Sequence, residues 1–196
     1  MLSDEIYARI VYGGEFVSML RYPGMAERTL ILDGFSKSFA MTGWRLGYAV
    51  APPEVVPALG LMAVNTYTSV AEFTQYAAID ALKDREGNTA RMVREFARRR
   101  DQFVRRLNGV PGFRCQPPEG AFYAWVEITG TGLSAEELCR VLLEDAGVAA
   151  IPGAAFGRAG RDFIRFSFAS SMASLEEAVD RMQKVSSAWQ TTTAID

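Results

Sequence analysis

The sequence of 196 residues contains no histidine. Histidine is the side chain whose ordinary pKa lies closest to neutrality. Its absence therefore excludes catalytic triads built on histidine and metal sites with histidine ligands. Acid–base chemistry must fall to lysine, aspartate, glutamate, tyrosine or cysteine, and we predict no metal site.

Cysteine and long apolar runs are also scarce. The two cysteines, Cys115 and Cys139, have no metal-binding spacing, which favours a reducing, cytoplasmic setting. No apolar stretch approaches the roughly 18 residues of a membrane span, and the first residues, MLSDEIYARI, lack the pattern of a signal peptide. The net charge of -2 and the pI near 5.4 argue against a nucleic-acid partner.

The composition that remains, with 49% hydrophobic residues, is typical of a globular protein with a buried core. Short apolar runs at residues 29–33 and 45–50 predict buried strands, and such strands suit a sheet covered on both faces. Helical periodicity follows at residues 54–63 and 72–83. This alternation predicts an α/β fold for the first part of the chain.

A long arginine-rich stretch at residues 85–108 has the periodicity of a helix. We interpret its three consecutive arginines, Arg98–Arg100, as a solvated face rather than a binding patch. Beyond this helix, aromatic and β-branched runs predict strands at residues 122–128, 148–151 and 163–169.

Two helix starts are predicted among these strands. Ser134 and Ser174 each stand three residues before a glutamate, which is the spacing of a capping box. Strands and helices in this order predict a small α+β domain for the second part of the chain.

The most informative segment is Gly34–Gly47, GFSKSFAMTGWRLG, in which Lys37 follows a predicted buried strand. Ligands of open α/β sheets bind at this edge. A partly desolvated lysine there has a lowered pKa and can form a Schiff base with an aldehyde, while Arg45 is suited to a phosphate. The residues alone leave open a surface lysine and arginine flanking a loop.

This segment resembles the attachment signature for pyridoxal 5'-phosphate (PLP) of class I/II aminotransferases. It has the family's small, apolar and small residues before the lysine, and then its Gly-x-Arg-apolar-Gly run. The resemblance implies that Lys37 binds PLP covalently and carries a proton between Cα of the substrate and C4′ of the cofactor. It implies that Arg45 binds the cofactor's phosphate.

The opening residues Ser3–Tyr7, SDEIY, are similar to a second motif of the family. The resemblance implies that Asp4 pairs with the pyridine nitrogen of PLP and that Tyr7 hydrogen-bonds the ring oxygen. A carboxylate beside that nitrogen keeps it protonated, so the ring can accept electrons from a carbanion. Tyr7 is also predicted to be catalytic, because it orients the ring.

Arg165 is the fifth predicted site residue. Strand alternation places Ile164, Phe166 and Phe168 on one face, so Arg165 points the other way, toward an expected cleft between domains. A guanidinium is a natural receptor for a carboxylate, although an exposed arginine on an edge strand remains an alternative. The stretch resembles the family's C-terminal Arg-apolar-Ser-aromatic-Ala motif, which implies that Arg165 binds the substrate carboxylate.

The resemblance implies a fold in three parts. Residues 1–84 are expected to be the C-terminal part of a PLP-binding large domain with a truncated, mainly parallel sheet. Residues 85–109 are expected to be a long interdomain helix, and residues 110–196 a small C-terminal α+β domain. The family often has a serine for the phosphate at the position of Gly34, so the resemblance implies one phosphate contact fewer here. The family's phosphate-binding loop and helix N-terminus, which precede the aspartate motif, are also missing, so we expect the chain to be an incomplete fragment that is inactive alone.

The implied activity is transamination between an L-amino acid and a 2-oxo acid, like that of aspartate or alanine aminotransferases, in a homodimer. A PLP-dependent β-lyase or synthase shares the same signature, and product analysis would separate it. The PLP-sensing domain of a transcription regulator is a third hypothesis, which a winged-helix pattern upstream would favour.

Overall fold

The computed structural model of the protein describes residues 1–83 and 87–190. The chain divides into two compact units, Met1–Val93 and Arg94–Asp196. The division falls within a long helix, α3 (Asn88–Leu107), which contributes to both units. The predicted assignment of residues 1–84, 85–109 and 110–196 to parts of a larger enzyme stays a prediction.

The first unit contains a three-stranded sheet of β1 (Leu2–Asp4), β2 (Leu30–Gly34) and β3 (Gly47–Val50), in that order. β1 is parallel to β2, whereas β3 is antiparallel to it. The expectation of a mainly parallel sheet is therefore wrong, because one of the two strand pairings is parallel and the other is antiparallel. The connection between β2 and β3, residues 35–46, contains a 3-10 helix but no α-helix that crosses the sheet, and β3 returns beside β2 in the opposite direction.

Two helices follow this sheet, α1 (Val56–Thr66) and α2 (Glu72–Lys83). The second has the predicted bounds, whereas the first begins and ends two to three residues later than the predicted 54–63. A small core forms where Phe35 and Met41 pack with Ala78 of α2. By contrast, α1 buries none of its residues. All four residues of β3 are exposed, so the expectation of a sheet covered on both faces is wrong for this chain.

The predicted long helix at residues 85–108 is present as α3, and residues 84–86 lie outside the described residues. Of its three consecutive arginines, Arg98 is exposed but Arg99 and Arg100 are half-buried. Arg98 and Arg99 both bind Glu95, at 2.9 and 2.8 Å, and these hydrogen bonds lower the pKa of Glu95 to about 2. The solvated-face interpretation therefore holds for Arg98 alone.

The second unit is built on an antiparallel sheet with the strand order β4-β5-β7-β6. Its strands are β4 (Arg114–Cys115), β5 (Tyr123–Glu127), β6 (Ile151–Pro152) and β7 (Phe163–Ser167). The predicted strand at 148–151 is wrong except at its last residue. The amide of Val148 instead donates to the carbonyl of Leu142 at 2.8 Å, which completes the C-terminal cap of the preceding helix.

Three helices complete this unit: α4 (Ala135–Ala146), α5 (Met172–Val185) and the short α6 (Ser187–Gln190). The capping box of Ser134 is confirmed. The predicted start at Ser174 is wrong, because Ser171 is the N-cap and its side chain accepts from the amide of Ser174. Ser174 therefore lies inside the first turn of α5.

The two central strands, β5 and β7, divide their residues between two faces of the sheet. One face consists of buried apolar residues: Ala124, Val126, Ile164 and Phe166. The opposite face carries half-buried residues: Tyr123, Trp125, Phe163 and Arg165. The prediction that Ile164, Phe166 and Phe168 are buried while Arg165 points away from them is confirmed.

Candidate functional site

The ends of the strands in the first unit bring predicted site residues to one edge of its sheet. Asp4 is the last residue of β1 and pairs in register with Leu32 of the parallel β2, whose end precedes Lys37 by three residues. Arg45 lies two residues before β3, whose first residue pairs with the last of β2. Tyr7 follows Asp4 by three residues in the adjoining turn. Four of the five predicted residues thus share this edge.

Lys37 lies on a tightly bonded turn and is half-buried. The carbonyl oxygens of four consecutive residues, 35–38, each accept a hydrogen bond. Their donors, in order, are the amide of Met41 (3.1 Å), the hydroxyl of Thr42 (2.8 Å), the amide of Ala40 (3.2 Å) and the hydroxyl of Thr89 (2.8 Å). The backbone that carries the lysine is therefore fixed on both sides of it.

The turn is anchored in the core by its aromatic residues. Phe35 is 3% exposed, and its ring centroid lies 5.0 Å from that of Phe39 and 6.0 Å from that of Tyr48. Lys37 lies between the two phenylalanines in sequence. Aromatic packing thus supports the same turn that the four hydrogen bonds hold.

Arg45 adopts a left-handed backbone conformation with φ of +54°, as does Ala40 on the other side of the turn. For a residue with a side chain this conformation costs about 1–2 kcal/mol. The Arg45 guanidinium is exposed, donates to the carbonyl of Thr42 at 3.0 Å, and lines an open cavity together with Thr74 of α2. Backbone strain at an exposed cation supports the hypothesis of a binding role.

Gly34 leaves no room for the serine that the family often has there. A Cβ atom at this position would lie 2.9 Å from Cα of Gly47 and 3.0 Å from the carbonyl oxygen of Leu46. The close approach of β2 and β3 therefore requires glycine at residue 34.

Glu5, beside Asp4, is a buried acid that no sequence motif indicates. It is 8% exposed, and its Oε1 atom accepts hydrogen bonds from the hydroxyls of Ser3 (3.2 Å) and Ser18 (3.0 Å) and the amide of Met19 (3.1 Å). Asp4, its neighbour, is exposed and accepts from the amide of residue 6 at 3.2 Å. Strand alternation places adjacent side chains on opposite faces, and this signal could have separated the two acids.

A pair of residues flanks the turn that carries Lys37, residues 35–40, here called the lysine turn: Asp33 precedes it and Tyr48 follows it. The hydroxyl of Tyr48 donates to Oδ2 of Asp33 at 2.7 Å, and Oδ1 of Asp33 accepts from the amide of Gly34 at 2.7 Å. Partial burial, and then the hydrogen bond and charge of Asp33, raise the pKa of Tyr48 to about 12. Tyr48 is therefore a protonated donor at neutral pH, and its hydrogen bond joins β3 to the end of β2.

Arg165 belongs to the second unit, where it lies in β7 opposite Trp125. Its guanidinium carbon lies 4.3 Å from the ring centroid of Tyr123 and 4.4 Å from that of Phe156. Neither a hydrogen bond nor an ion pair to its guanidinium is present within residues 1–83 and 87–190. The expected orientation toward an interdomain cleft, and toward the other four residues, stays a prediction.

The two cysteines are poor nucleophiles. Burial raises the pKa of both Cys115 and Cys139 to about 11, so neither is a thiolate at neutral pH. In the part of the chain that the structure describes, no group of three or more His, Cys, Asp and Glu side chains could hold a metal ion. Over the same residues, no helix is long and apolar enough to cross a membrane.

One known protein family matches most of the chain. The sequence profile described as aminotransferase class I and II matches residues 1–182. The chain belongs to this family, whose members depend on PLP, and the relatives that it matches are aminotransferases.

The individual relatives fit the same assignment. Aromatic-amino-acid aminotransferase 2 of Thermococcus litoralis is 44% identical over 188 residues, covering 94% of this chain and 48% of that protein. An aspartate aminotransferase of Pyrococcus abyssi is 42% identical, with the same coverage of both chains. The crystal structure of an aromatic aminotransferase from Pyrococcus horikoshii OT3 has a TM-score of 0.92 at 39% identity, covering 96% of this chain and 51% of that one. The chain thus spans about half the length of the relatives it matches.

Proposed function

We propose that this chain is the C-terminal half of a PLP-dependent aminotransferase that transfers an amino group between an L-amino acid and a 2-oxo acid. The observation that carries the proposal is the position of Lys37, on a turn with four bonded carbonyls at the edge where β1 and β2 end. The relatives are named for aspartate and for aromatic amino acids, which supports amino acids as the substrate class.

The groups at this edge fit PLP by their chemistry. The sheet edge offers an amine (Lys37) for the aldehyde, a carboxylate (Asp4) for the pyridine nitrogen, a phenol (Tyr7) for the ring oxygen and a guanidinium (Arg45) for the phosphate. When bound, PLP supplies the electron sink that stabilises negative charge at Cα of the substrate. In the proposed reaction, Lys37 carries the proton between Cα and C4′, and Arg165 holds the substrate carboxylate.

The proposed parent enzyme is a homodimer that contains this chain and the rest of the large domain. Exposed apolar side chains support a larger assembly: Leu61 and Met62 of α1 are 67% and 64% exposed, and Phe73 of α2 is 72% exposed. Apolar surface of this kind on consecutive helices marks a surface that is covered by other protein. The cytoplasmic setting stays part of the proposal.

The direct test uses the three lysines of the sequence, Lys37, Lys83 and Lys184. The parent enzyme is loaded with PLP, reduced with borohydride and digested, and the peptides are mapped by mass spectrometry. The label is expected on Lys37, and Lys37→Ala should abolish amino transfer from amino acids to 2-oxoglutarate. Lys184→Ala is the matched control, because this exposed side chain lies on α5. A label on Lys83 or Lys184 alone would contradict the assignment.

A further inference from the structure

We propose that Tyr123 and Phe156 are positioning residues, which hold the guanidinium of Arg165 so that its N–H edge receives the carboxylate of the amino acid or 2-oxo acid. This inference deepens the proposed function and rests on it. Its basis lies wholly within the second unit, where the three residues are in contact.

The contact geometry is that of two cation–π pairs on one cation. The guanidinium carbon lies over the faces of the Tyr123 and Phe156 rings at nearly equal distances of 4.3 and 4.4 Å. Guanidinium–aromatic contacts within about 6 Å of the ring centroid are attractive, and more so when the pair is partly desolvated. Because the N–H bonds of arginine lie in the plane of the group, contacts over the ring faces leave its edge available to an acceptor.

The rings themselves are held by the scaffold. Tyr123 and Arg165 lie on paired strands, β5 and β7, and Phe156 ends a short 3-10 helix that begins at Gly153. A Cβ at Gly153 would lie 2.9 Å from the Trp125 side chain, so this helix packs directly on the sheet. The Phe156 ring meets the Trp125 ring edge-on, with centroids 5.6 Å apart. Phe156 is 52% exposed. Its position is set by the packing of Gly153 at the start of the 3-10 helix and by the contact of its ring with Trp125.

The polar edge of Arg165 has no protein acceptor among the described residues, although the side chain is half-buried. Other arginines of the same unit are satisfied by acids; Arg114, for example, binds Glu127 at 2.8 Å. An arginine that is held over two rings without an acid partner is a pre-organised receptor for an external anion. A planar carboxylate matches the fork of its donors, and pre-organisation reduces the entropy lost on binding.

The test measures carboxylate binding and kinetics in the parent enzyme with paired substitutions. Phe156→Leu and Tyr123→Leu remove a ring, whereas Phe156→Tyr and Tyr123→Phe keep it. Phe163→Leu is the matched control, because this ring stacks on Trp125 at 5.5 Å in the same cluster but is not one of the two rings over which the Arg165 guanidinium lies. The probe is 3-phenylpropionate, a carboxylate without an amino group, titrated by calorimetry.

The leucine variants at Tyr123 and Phe156 are expected to weaken probe binding and raise KM on the order of threefold to tenfold, with kcat little changed. The aromatic variants and Phe163→Leu should bind as the parent does. Equal binding by both leucine variants and the parent, or an aromatic variant as weak as its leucine counterpart, would overturn the inference. Arg165→Lys tests the carboxylate role of Arg165 separately from the positioning role of the two rings. If Arg165→Lys loses probe binding while both leucine variants bind as the parent does, only the positioning role is refuted. Unchanged binding by Arg165→Lys would refute the carboxylate role itself.

Discussion

The hydroxyl of Thr89, in the first turn of α3, donates a 2.8 Å hydrogen bond to the carbonyl oxygen of Ser38, the residue after Lys37. The two residues are 51 positions apart in sequence. Ser38 is 2% exposed, so its carbonyl lies where water cannot easily replace a lost partner. The start of the long helix therefore stabilises the lysine turn directly.

Replacing Thr89 by valine is expected to destabilise the first unit. The variant keeps the shape of the side chain but removes the donor, and a hydrogen bond of this kind contributes about 1 kcal/mol to the free energy of unfolding. Thr89→Ser retains the hydroxyl and is the control. Urea unfolding, together with hydrogen exchange of the amides at residues 40 and 41, measures the effect. If these two amides exchange at the same rate in Thr89→Val as in the unsubstituted protein, the turn is held without the hydroxyl of Thr89.

Adding a single methyl group at Gly34 is expected to disturb the pairing of β2 with β3. The Cβ of Gly34→Ala would lie 2.9 Å from the backbone of Gly47, and overpacking of this kind costs about 1–3 kcal/mol of stability. Gly43→Ala is the matched control, because no atom lies within 4 Å of its added Cβ. Thermal unfolding of both variants measures the difference. Equal melting temperatures would mean that β2 and β3 can shift apart to accept the added methyl group without a loss of stability.

The Tyr48–Asp33 pair predicts a loss of stability at alkaline pH. The pKa of Tyr48 is about 12 in the folded protein and about 10 for an unperturbed tyrosine. Between these values the folded state binds more protons than the unfolded state, so the free energy of unfolding falls as the pH rises. The contribution of the pair is complete below about pH 10 and is lost as the pH approaches about 12.

The measurement compares the chemical unfolding of the unsubstituted 196-residue chain, the parent here, with that of its Tyr48→Phe variant from about pH 9 to about pH 12. The phenylalanine variant is expected to lose stability less steeply over this range, because it has no hydroxyl to titrate. Tyr76→Phe, which removes an exposed phenol, is the control and should follow the parent. Parallel curves for all three proteins would show that Asp33 and Tyr48 are not coupled to folding.

The sequence predicts best what is encoded locally. Lys37 and Arg45 lie within one run of fourteen residues, Gly34–Gly47, so the motif and the edge of the sheet that it occupies could be predicted together. The capping box at Ser134 could be predicted for the same reason, because its partner lies three residues away. Ser174 shows the limit of local reasoning, since Ser171 three residues earlier competes for the same helix start and bonds its amide.

Contacts between distant segments could not be predicted. The bonds of Glu5 to Ser18 and of Thr89 to Ser38 join elements whose distance depends on the folded chain. The rings over Arg165 come from residues before and after a helix, so no spacing in the sequence indicates them. The antiparallel direction of β3 could not be predicted either, because the apolar pattern of residues 45–50 is compatible with both directions.

The last prediction is that this 196-residue chain, expressed alone, has no ordinary transaminase activity. The strand β1 is itself held in place, because it pairs with β2 and the amino group of Met1 donates to the carbonyl of Arg28 at 2.6 Å. The expected cause of inactivity is exposed surface in the first unit. β3 is exposed along its length at the edge of the sheet, and exposed sheet edges promote aggregation.

The exposed helix α1 adds to this argument, because none of its eleven residues is buried. An apolar helix without a covered face contributes little stability to the unit that carries Lys37. The chain is therefore expected to bind PLP weakly at most, as an accessible amine does, and to transfer no amino groups at a useful rate. The assay adds PLP to the purified chain and measures transfer from several amino acids to 2-oxoglutarate, beside the parent enzyme at equal concentration. Turnover on the order of 1 per second or faster would show that the covering protein is dispensable.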